Sequence, residues 1–344
     1  MNAKSTERAT IVVLNWNGFK DTKVCIESLL GQDYSDFSVV VVDNGSRDGS
    51  VEKLKQLEAD LSDDRLHVIY NKKNLGFAGG VNTGIRYALT EEFDAVALFN
   101  NDAAADKKWL SSLMAELNTR SEVGIVTGLL LHENGKTIDS TGEQYSVWGM
   151  PFPQARNKAS TNIPESGFVF GATGGASLYR TALFKKIGLF DERFFAYYED
   201  VDVSFRAQLA GQKVFFTNKA IAYHKQGASS SKIPGFTVYQ TFKNIPLLFI
   251  KNVPRGLLLP IGCRLFVLYV LIFGNAIKNG AGVPALRGWL ASIGHFWSAS
   301  LWQRFKIQRR KAVSTRYISS IIYPDLPPDQ TGMRKLLHRK DTGQ

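Results

Sequence analysis

The chain has 344 residues, of which 44% are hydrophobic and 21% charged, a composition that excludes an intrinsically disordered protein. Its two cysteines, Cys25 and Cys263, each lie inside an apolar stretch, so we expect reduced core thiols and no disulfide framework. Residues 1–202 contain 21 Lys and Arg and 28 Asp and Glu, whereas residues 203–324 contain 17 basic residues and no acidic one. Such a one-sided charge indicates an anionic partner: phospholipid, nucleic acid or a phosphorylated substrate.

The first part of the chain alternates between β-branched apolar runs and amphipathic segments. The predicted strands are Thr10–Leu14, Ser38–Val42, Leu66–Tyr70 and Ala95–Phe99, and the predicted helices are Thr22–Leu30, Ser50–Leu61 and Gly79–Leu89. Continuous apolar strands separated by helices predict an open, Rossmann-like α/β fold with a mostly parallel sheet and helices on both faces. Ligands bind such a sheet at the carboxyl ends of its strands. The loops at those ends, all rich in Asn, Asp and Gly, are Asn15–Gly18, Asp43–Gly49, Asn71–Gly80 and Asn100–Asp102.

After Ala103 the pattern changes to a mixture of helices and strands. The predicted helices are Trp109–Leu117 and Val201–Ala210, and the predicted strands are Gly124–Leu131, Phe168–Tyr179 and Val214–Thr217. The polar run GASSSK places the end of a catalytic unit near Ser231. We therefore expect a catalytic domain over 1–231, a basic, apolar helical region over 232–324 and a flexible tail over 325–344.

The basic region predicts contact with a membrane. Its apolar segments, Thr241–Ile250 and Leu257–Ile277, are punctuated by basic residues, and the longest uncharged stretch within them, Leu265–Ile277, has 13 residues, fewer than the roughly 20 of a spanning helix. A helix lying in the interface fits better, followed by the amphipathic stretch QRFKIQRRKAVSTR, which suits anionic headgroups. A soluble helical subdomain or a homodimer interface is the alternative. Long apolar runs between the charges argue against nucleic-acid binding.

The amino-terminal segment MNAKSTERAT contains no apolar stretch of the kind found in secretory signals. Together with the cysteine usage, this predicts a cytoplasmic location, peripheral on the inner face of the cell membrane.

The polar loops at the sheet edge each have a chemical and a structural interpretation. Asp43 could accept hydrogen bonds from a nucleoside, but Asp-Asn-Gly-Ser is also the composition of a turn. The glycines of Asn74–Asn82 could bring backbone amides to a phosphate, or form a plain tight turn. Asn100, Asn101 and Asp102 follow an apolar strand, and Mg²⁺ or Mn²⁺ bridging a diphosphate needs only one or two carboxylates there.

Two further segments carry titratable groups. Glu199, Asp200 and Asp202 lie behind an aromatic run at the start of a helix. Acids are favoured in a first helical turn for their own sake, yet aromatic cover also raises a carboxyl pKa toward general-base function. His224 follows an apolar strand; a lone histidine is more often structural, but one at a strand end can be a metal ligand.

Seven segments occur in the order seen in family 2 glycosyltransferases, and the chain most resembles the bacterial rhamnosyltransferase-like branch. Within residues 8–230 they are TIVVLNWNG, VVVDNGSRDGS, NLGFAGGVNTGI, LFNNDA, GATGGASLYR, GLFDERFFAYYEDVDVSFR and AYHKQG. The resemblance implies a GT-A fold and inverting transfer of one sugar, with rhamnose a candidate, from a dTDP- or UDP-linked donor. The acceptor would be a hydroxyl of a glycan or lipid-linked precursor in cell-surface polysaccharide synthesis. The QxxRW motif of processive synthases is absent from the sequence.

The resemblance also implies individual roles. Asp200 would be the base that deprotonates the acceptor, with Glu199 beside it, and Asp102 and His224 would bind Mg²⁺ or Mn²⁺. Asn100 stands where the motif's first Asp would be, which removes one charge from the metal site. The expected donor-binding residues are Leu14, Asn15, Asp43, Asn44, Gly76, Phe77, Gly79, Gly80, Asn82, Asn100 and Asn101, and the expected acceptor-binding residues are Gly174, Gly175 and Ala176. The alternative is a catalytically silent nucleotide-sugar-binding or membrane scaffold protein.

Overall fold

The computed structural model describes residues 7–225, 233–295, 300–328 and 330. The strands are β1 Ala9–Asn15, β2 Phe37–Asp43, β3 Leu66–Tyr70, β4 Ala95–Asn100, β5 Ala103–Ala105, β6 Val123–His132, β7 Ile138–Ser140, β8 Glu143–Tyr145, β9 Pro151–Pro153, β10 Gly167–Val169, β11 Ala176–Arg180 and β12 Lys213–His224. The helices are α1 Phe19–Leu30, α2 Ser50–Leu61, α3 Gly76–Thr90, α4 Trp109–Thr119, α5 Thr181–Ile187, α6 Glu199–Leu209, α7 Phe236–Asn252, α8 Arg255–Lys278, α9 Gly282–His295, α10 Leu301–Arg309 and α11 Thr315–Ile321.

A ten-stranded sheet forms the centre of the molecule, in the order β10-β12-β6-β11-β4-β1-β2-β3, with β5 paired to β12 and β7 to β6. The strands β1 to β4 pair in parallel, as do β6 and β12, while β11 runs antiparallel between β4 and β6. The predicted GT-A-like α/β fold, with a mixed and mostly parallel sheet, is confirmed, and helices follow it at the C-terminal end. Every strand and helix predicted before Ala103 is present.

The continuous apolar strands arise because both faces of the sheet are covered. In β2, Val39 and Val41 face the core beneath α1 and α4, whereas Val40 and Val42 face the core beneath α3 and α5. Successive side chains of a strand point to opposite faces, so a strand covered on both sides is apolar along most of its length. The buried polar residues Ser38 of β2 and Thr10 of β1 are hydrogen-bonded to each other at 3.0 Å. Cover on both faces thus directs most of the polar residues to the strand ends.

Two sequence predictions of strands were wrong. Phe168–Tyr179 is not one strand: Gly167–Val169 pairs with β12, whereas Ala176–Arg180 pairs with β4 and β6. The chain between them crosses the sheet edge, where a Cβ at Gly175 would lie 2.9 Å from Asn100 Nδ2, so only glycine fits without a shift. The strand predicted at Val214–Thr217 is longer and continues to His224 past an irregularity after Phe216.

The prediction of core thiols is confirmed for Cys25 and wrong for Cys263. Cys25 is buried beneath the sheet, whereas Cys263 is free and exposed on α8. An apolar neighbourhood in sequence predicts burial only when the whole helix is covered, and much of α8 is not.

The helices after β12 pack directly on the GT-A sheet unit. Val201 and Phe205 of α6 share one buried cluster with Leu247 and Leu248 of α7 and Ile261 of α8. The predicted end of the catalytic unit near Ser231 lies outside the described residues, as does the tail from 331 onward. By length and composition alone, α8 is the one helix of the described chain that could cross a bilayer.

A buried ionic network also joins α6 to α7. Lys251 Nζ lies 2.8 Å from both Asp191 Oδ2 and Asp202 Oδ2, and Arg206 Nε donates to Asp202 Oδ2 at 2.9 Å. Burial opposes the ionised carboxyl groups, but the neighbouring cations hold the pKa of Asp191 and of Asp202 below the ordinary value. The network therefore stabilises the fold at neutral pH and loses this contribution as the pH falls below about 4.

Removing the central cation of this network leaves two carboxylates buried together. We expect Lys251→Met to lower the free energy of unfolding by about 3–5 kcal/mol, measured by urea denaturation at neutral pH. Lys23→Met, at a half-exposed ion pair of 3.9 Å with Glu27, is the matched control and should change it by less than about 0.5 kcal/mol. Equal effects of the two substitutions would show that the network does not stabilise the protein.

Candidate active site

The donor-side residues gather at the carboxyl ends of β1 and β2. Asn15 Nδ2 donates to Asp43 Oδ2 at 2.7 Å, and Asp43 Oδ1 accepts from the amides of Gly45 and Ser46 at 3.1 and 3.0 Å. Asp43 is fully buried, and its hydrogen bonds with the Gly45 and Ser46 amides order the turn. The carboxylate is thereby fixed in one orientation at the sheet edge.

The start of α3 is packed tightly against the rest of the site. Gly76 has φ of +72°, and a Cβ there would lie 2.4 Å from the carbonyl oxygen of Phe195. That oxygen accepts from Ala78 N at 3.1 Å, and Gly76 N donates to Asn74 Oδ1 at 2.7 Å. These two first-turn amides therefore already have acceptors within the protein. A Cβ at Gly80 would lie 2.3 Å from Leu14, so this glycine allows α3 to approach β1.

Other predicted donor residues have contacts that order the loops. Asn44 Nδ2 donates to the carbonyl of Gly76 at 3.0 Å, and Asn101 Nδ2 donates to Thr22 Oγ1 at 2.9 Å. Asn82 is buried within α3 and bonds the backbone of Phe190 through both ends of its amide, at 2.9 and 3.0 Å. The structure thus shows a role for Asn82 in holding α3 to the segment before α6.

The loop that leads into α6 has an unusual backbone. Three non-glycine residues, Phe195, Tyr197 and Tyr198, have φ between +63° and +71°. Such conformations cost free energy and persist only where the surroundings hold them. Here Asn244 of α7 donates to the carbonyls of Phe194, Ala196 and Tyr197, each at 2.9 Å. Sequence reasoning missed Asn244, because nothing local marks a helical asparagine as the clamp of a distant loop.

The acidic pair begins α6, where Glu199 is buried and Asp200 is partly buried. Asp200 Oδ2 accepts from Gly174 N at 2.9 Å and Oδ1 from Val201 N at 2.8 Å. Burial raises the pKa of Asp200 despite these hydrogen bonds, and burial together with the Asp200 charge raises that of Glu199. Glu143 of β8, which the sequence did not single out, is also buried and has a raised pKa for the same two reasons. A carboxylate of raised pKa is a better proton acceptor, as a general base requires.

The predicted metal ligands meet at the ends of β4 and β12. His224 Nε2 lies 3.0 Å from Asp102 Oδ1 and 3.2 Å from Asn100 Nδ2. Adjacent ligands of an octahedral Mg²⁺ or Mn²⁺, with bonds of roughly 2.1 Å at right angles, are separated by about 3 Å. Asp102 and His224 therefore fit two neighbouring positions of such an ion. In the described residues no three such side chains converge on one point, so phosphate oxygens and water would supply the other ligands.

Asp139 of β7 holds His224 from behind and was missed by sequence reasoning. Its Oδ2 lies 2.7 Å from His224 Nδ1, and its Oδ1 pairs with Arg156 Nη2 at 2.9 Å. Although burial opposes protonation, hydrogen bonds to Asp102 and Asp139 raise the pKa of His224 to about 9. At neutral pH this ring is therefore protonated and shares its Nε2 proton with Asp102, so a metal would bind Nε2 only by displacing that proton. The Asp139 carboxylate on Nδ1 orients the ring. A three-residue strand has no local signal by which the sequence could reveal this contact.

Replacing Asp139 by Asn is expected to weaken metal binding by roughly 10- to 100-fold, since a neutral partner orients the imidazole less firmly and lowers its basicity. The measurement is the Mn²⁺ concentration that half-saturates transfer. Asp106→Asn, at an exposed position before α4, is the control and should leave it unchanged. If Asp139→Asn binds Mn²⁺ as the wild type does, Asp139 has no part in orienting His224.

The acidic pair Glu199–Asp200 and the Asp102–His224 pair are joined by one short segment. Gly174 N donates to Asp200, while the carbonyl of Gly175 accepts from Asn100 N at 2.9 Å. A Cβ at Gly174 would lie 3.2 Å from the ring of Phe77, so the first turn of α3 also lies close to this segment. Ala176, the next residue, begins β11 beside β4. The predicted site residues thus lie along one edge of one sheet.

This sheet, with its polar carboxyl-end edge, has the architecture of the GT-A class. The family model described as "Glycosyl transferase family 2" matches residues 10–188. The chain belongs to glycosyl transferase family 2, as its motifs predicted.

The chain is similar to several curated glycosyltransferases. It is 26% identical over 241 residues to the low-salt glycan biosynthesis hexosyltransferase Agl10 of Haloferax volcanii, covering 68% of this chain and 73% of that protein. It is 25% identical to the dTDP-rhamnosyl transferase RfbF of Shigella flexneri, covering 62% and 71%. It is 26% identical to an N-acetylglucosaminyl-diphospho-decaprenol L-rhamnosyltransferase of Mycobacterium tuberculosis, covering 57% and 69%.

Solved structures share the fold. The mannosyltransferase PcManGT of Pyrobaculum calidifontis, in complex with GDP-Man and Mn²⁺, matches with a TM-score of 0.55 and 14% identity, over 98% of this chain and 89% of that one. Residues 1–349 of TarS from S. aureus match with a TM-score of 0.55 and 18% identity, over 87% and 83%. At these identities the likeness concerns the fold alone.

Proposed function

We propose that this protein transfers one sugar, with inversion, from a nucleoside diphosphate to a hydroxyl of a glycan or lipid-linked acceptor. The observation that carries the proposal is the Gly174–Gly175 segment, which links Asp200 on one side to Asn100, and through it to the Asp102–His224 pair, on the other. Such a link supports the proposal of a proton acceptor beside a diphosphate-binding edge. A single displacement needs these two functions next to each other.

In this reaction the acceptor oxygen attacks the anomeric carbon as the bond from that carbon to the diphosphate breaks. Asp200 takes the hydroxyl proton, and burial raises the pKa of its carboxyl group, which strengthens the base. Mg²⁺ or Mn²⁺, held by Asp102 and His224, would supply positive charge for the departing diphosphate. We assign Asp43 and Asn15, which are hydrogen-bonded at the carboxyl ends of β1 and β2, to the nucleoside of the donor.

The names of the relatives support finer proposals. Two of them are rhamnosyltransferases, one named for dTDP-rhamnose and one for a decaprenol-linked acceptor. We therefore propose a dTDP- or UDP-linked donor, with rhamnose the first candidate, and an acceptor of cell-surface polysaccharide synthesis. The protein would act on the cytoplasmic face of the membrane, which the basic helices α8 to α10 would contact. Dimer formation through these helices is the competing use of the same surface.

A panel of nucleoside diphosphate sugars tests the donor. With Mn²⁺ present, the correct donor at 100 times its dissociation constant should stabilise the fold by about 2.7 kcal/mol, and EDTA should reduce the effect. Donors that carry the same nucleotide but a sugar that fits the pocket less well should stabilise the fold by less. A scaffold without activity, which Asn100 in the metal motif would favour, predicts the same stabilisation but no release of nucleoside diphosphate with any acceptor extract.

A further inference from the structure

The helices after β12 expose an unusual amount of apolar surface. The exposed large side chains are Leu259, Phe266, Val267, Val270, Leu271 and Ile277 of α8, Val283, Leu286, Trp289, Leu290 and Ile293 of α9, and Leu301, Trp302 and Phe305 of α10. Soluble monomers rarely expose a large continuous apolar patch, and such patches mark contacts with membranes or other proteins. The exposed side chains of α8, α9 and α10 therefore indicate contact with a membrane or with another protein.

A shallow pocket beside this surface indicates the chemistry of the partner. The pocket has a volume of about 600 Å³ and lies between the first turn of α8 and the length of α10. Its lining includes Arg255, Arg304, Arg309 and Lys311 and no carboxylate. Leu301 and Phe305, which also line it, are two of the exposed apolar side chains. Positive charge and apolar surface therefore meet at one place.

The pocket has a fixed floor. Arg304 Nη1 donates to the carbonyls of Ile250 and Val253 at 2.6 and 2.7 Å, and Gln308 Nε2 donates to that of Asn252 at 2.8 Å. These bonds attach α10 across the end of α7, so the cations are presented by a helix whose position is set by the core. The pocket does not depend on one mobile side chain.

The aromatic residues of α10 add a second feature typical of a membrane interface. The rings of Trp302 and Phe305 stack with their centroids 5.9 Å apart, and Lys306 Nζ lies 4.9 Å from the centre of the Trp302 ring. Tryptophan is enriched at the depth of the lipid headgroups, and basic residues beside it contact the phosphates. A protein partner would have to supply acids, since residues 203–324 contain none.

We propose that the pocket formed by Arg255, Arg304, Arg309 and Lys311 binds the phosphate headgroup of an anionic phospholipid. The apolar side chains of α8, α9 and α10 then lie among the acyl chains beside it. The inference rests on the membrane part of the proposed function and deepens it by naming the lipid chemistry and the residues that recognise it. Because α7 also holds the loop before Asp200 through Asn244, this docking would orient the active site toward a membrane-borne acceptor.

Vesicle flotation of the full-length protein tests the site. The pocket variant is Arg309→Gln with Lys311→Gln, and its matched control is Lys278→Gln with Arg287→Gln, which removes two exposed cations of α8 and α9 outside the pocket. We expect the wild type to bind phosphatidylcholine vesicles that contain phosphatidylglycerol far better than phosphatidylcholine alone. The pocket variant should bind the anionic vesicles roughly 30-fold more weakly than the wild type. The control variant should bind them less than about six-fold more weakly than the wild type.

Several outcomes would overturn the inference. Equal losses in the two variants would show a diffuse basic surface without a headgroup site, and equal binding of the wild type to both vesicle types would show apolar insertion alone. No vesicle binding, with a dimer in light scattering, would assign the apolar face to a second copy of the chain. Stabilisation by a nucleotide sugar, measured on both variants, checks that they fold and reports the proposed function independently of the lipid result.

Discussion

Replacing Asp200 by Asn is expected to lower the rate of sugar transfer by roughly 10²- to 10⁴-fold, the usual contribution of a general base. Asparagine keeps one oxygen for the Gly174 amide at 2.9 Å but loses the acceptor for Val201 N at 2.8 Å, so thermal stabilisation by the donor also serves as the check that the variant folds. That stabilisation should be unchanged, because the proposed role of Asp200 is toward the acceptor. The measurement is the initial rate of nucleoside diphosphate release in the presence of acceptor.

Glu192→Gln is the matched control for this substitution. Glu192 lies in the same segment before α6, is half-exposed and pairs with Arg86 at 3.0 Å. It should retain the wild-type rate within a few-fold. Wild-type activity of Asp200→Asn would remove Asp200 from the mechanism.

The pH dependence of the reaction follows from the environment of Asp200. The base must be ionised to act, and burial raises its pKa above that of an ordinary Asp. The rate should therefore fall as the pH is lowered through this raised value, at a higher pH than for an exposed aspartate. In Asp200→Asn the residual rate should lack this acidic limb.

Replacing Asp102 by Asn should abolish the response to Mn²⁺, because it removes the remaining carboxylate from the Asn100–Asp102 triplet. We expect metal affinity to fall by more than roughly 100-fold, beyond the effect of losing a residue that only orients a ligand. The measurement is a Mn²⁺ titration of donor-dependent stabilisation.

Asn100→Asp provides the converse experiment. The side chain of Asn100 lies 3.2 Å from His224 Nε2, so a carboxylate there should join the metal site and tighten Mn²⁺ binding. If EDTA leaves wild-type transfer unchanged, and Asn100→Asp has no effect on Mn²⁺ binding, the metal has no part in the reaction.

Much of the fold and the site could be predicted because it depends on local pattern. An apolar strand such as Phe37–Asp43 can only be buried on both faces, and parallel strands bring their carboxyl ends to one edge. Asp43 and Asp102 could therefore be predicted at one edge from the strand pattern, whereas the role of Asp200, at a helix start, was implied by the resemblance to family 2 glycosyltransferases. The structure connects Asp200 to that edge through Gly174, and His224 to it through Asp102.

The residues that escaped prediction act through long-range contacts. Asp139 lies on a strand of three residues and meets His224 across 85 positions of sequence. Asn244 belongs to a region read as membrane-associating, yet its amide holds the loop before Asp200. The apolar run Phe168–Tyr179 has the pattern of one strand, and its division depends on which neighbours each half pairs with. Periodicity contains no information on such pairing.

The most direct test of the central claim is mass analysis of acceptors after incubation with the purified protein, Mn²⁺, the stabilising nucleotide sugar and a bacterial lipid extract. We predict a product heavier by one sugar, formed with an equal amount of nucleoside diphosphate, and none with Asp200→Asn. Tight donor binding without any such product from wild-type protein, over a range of membrane extracts, would contradict the proposal of a glycosyltransferase that uses Asp200 as its base.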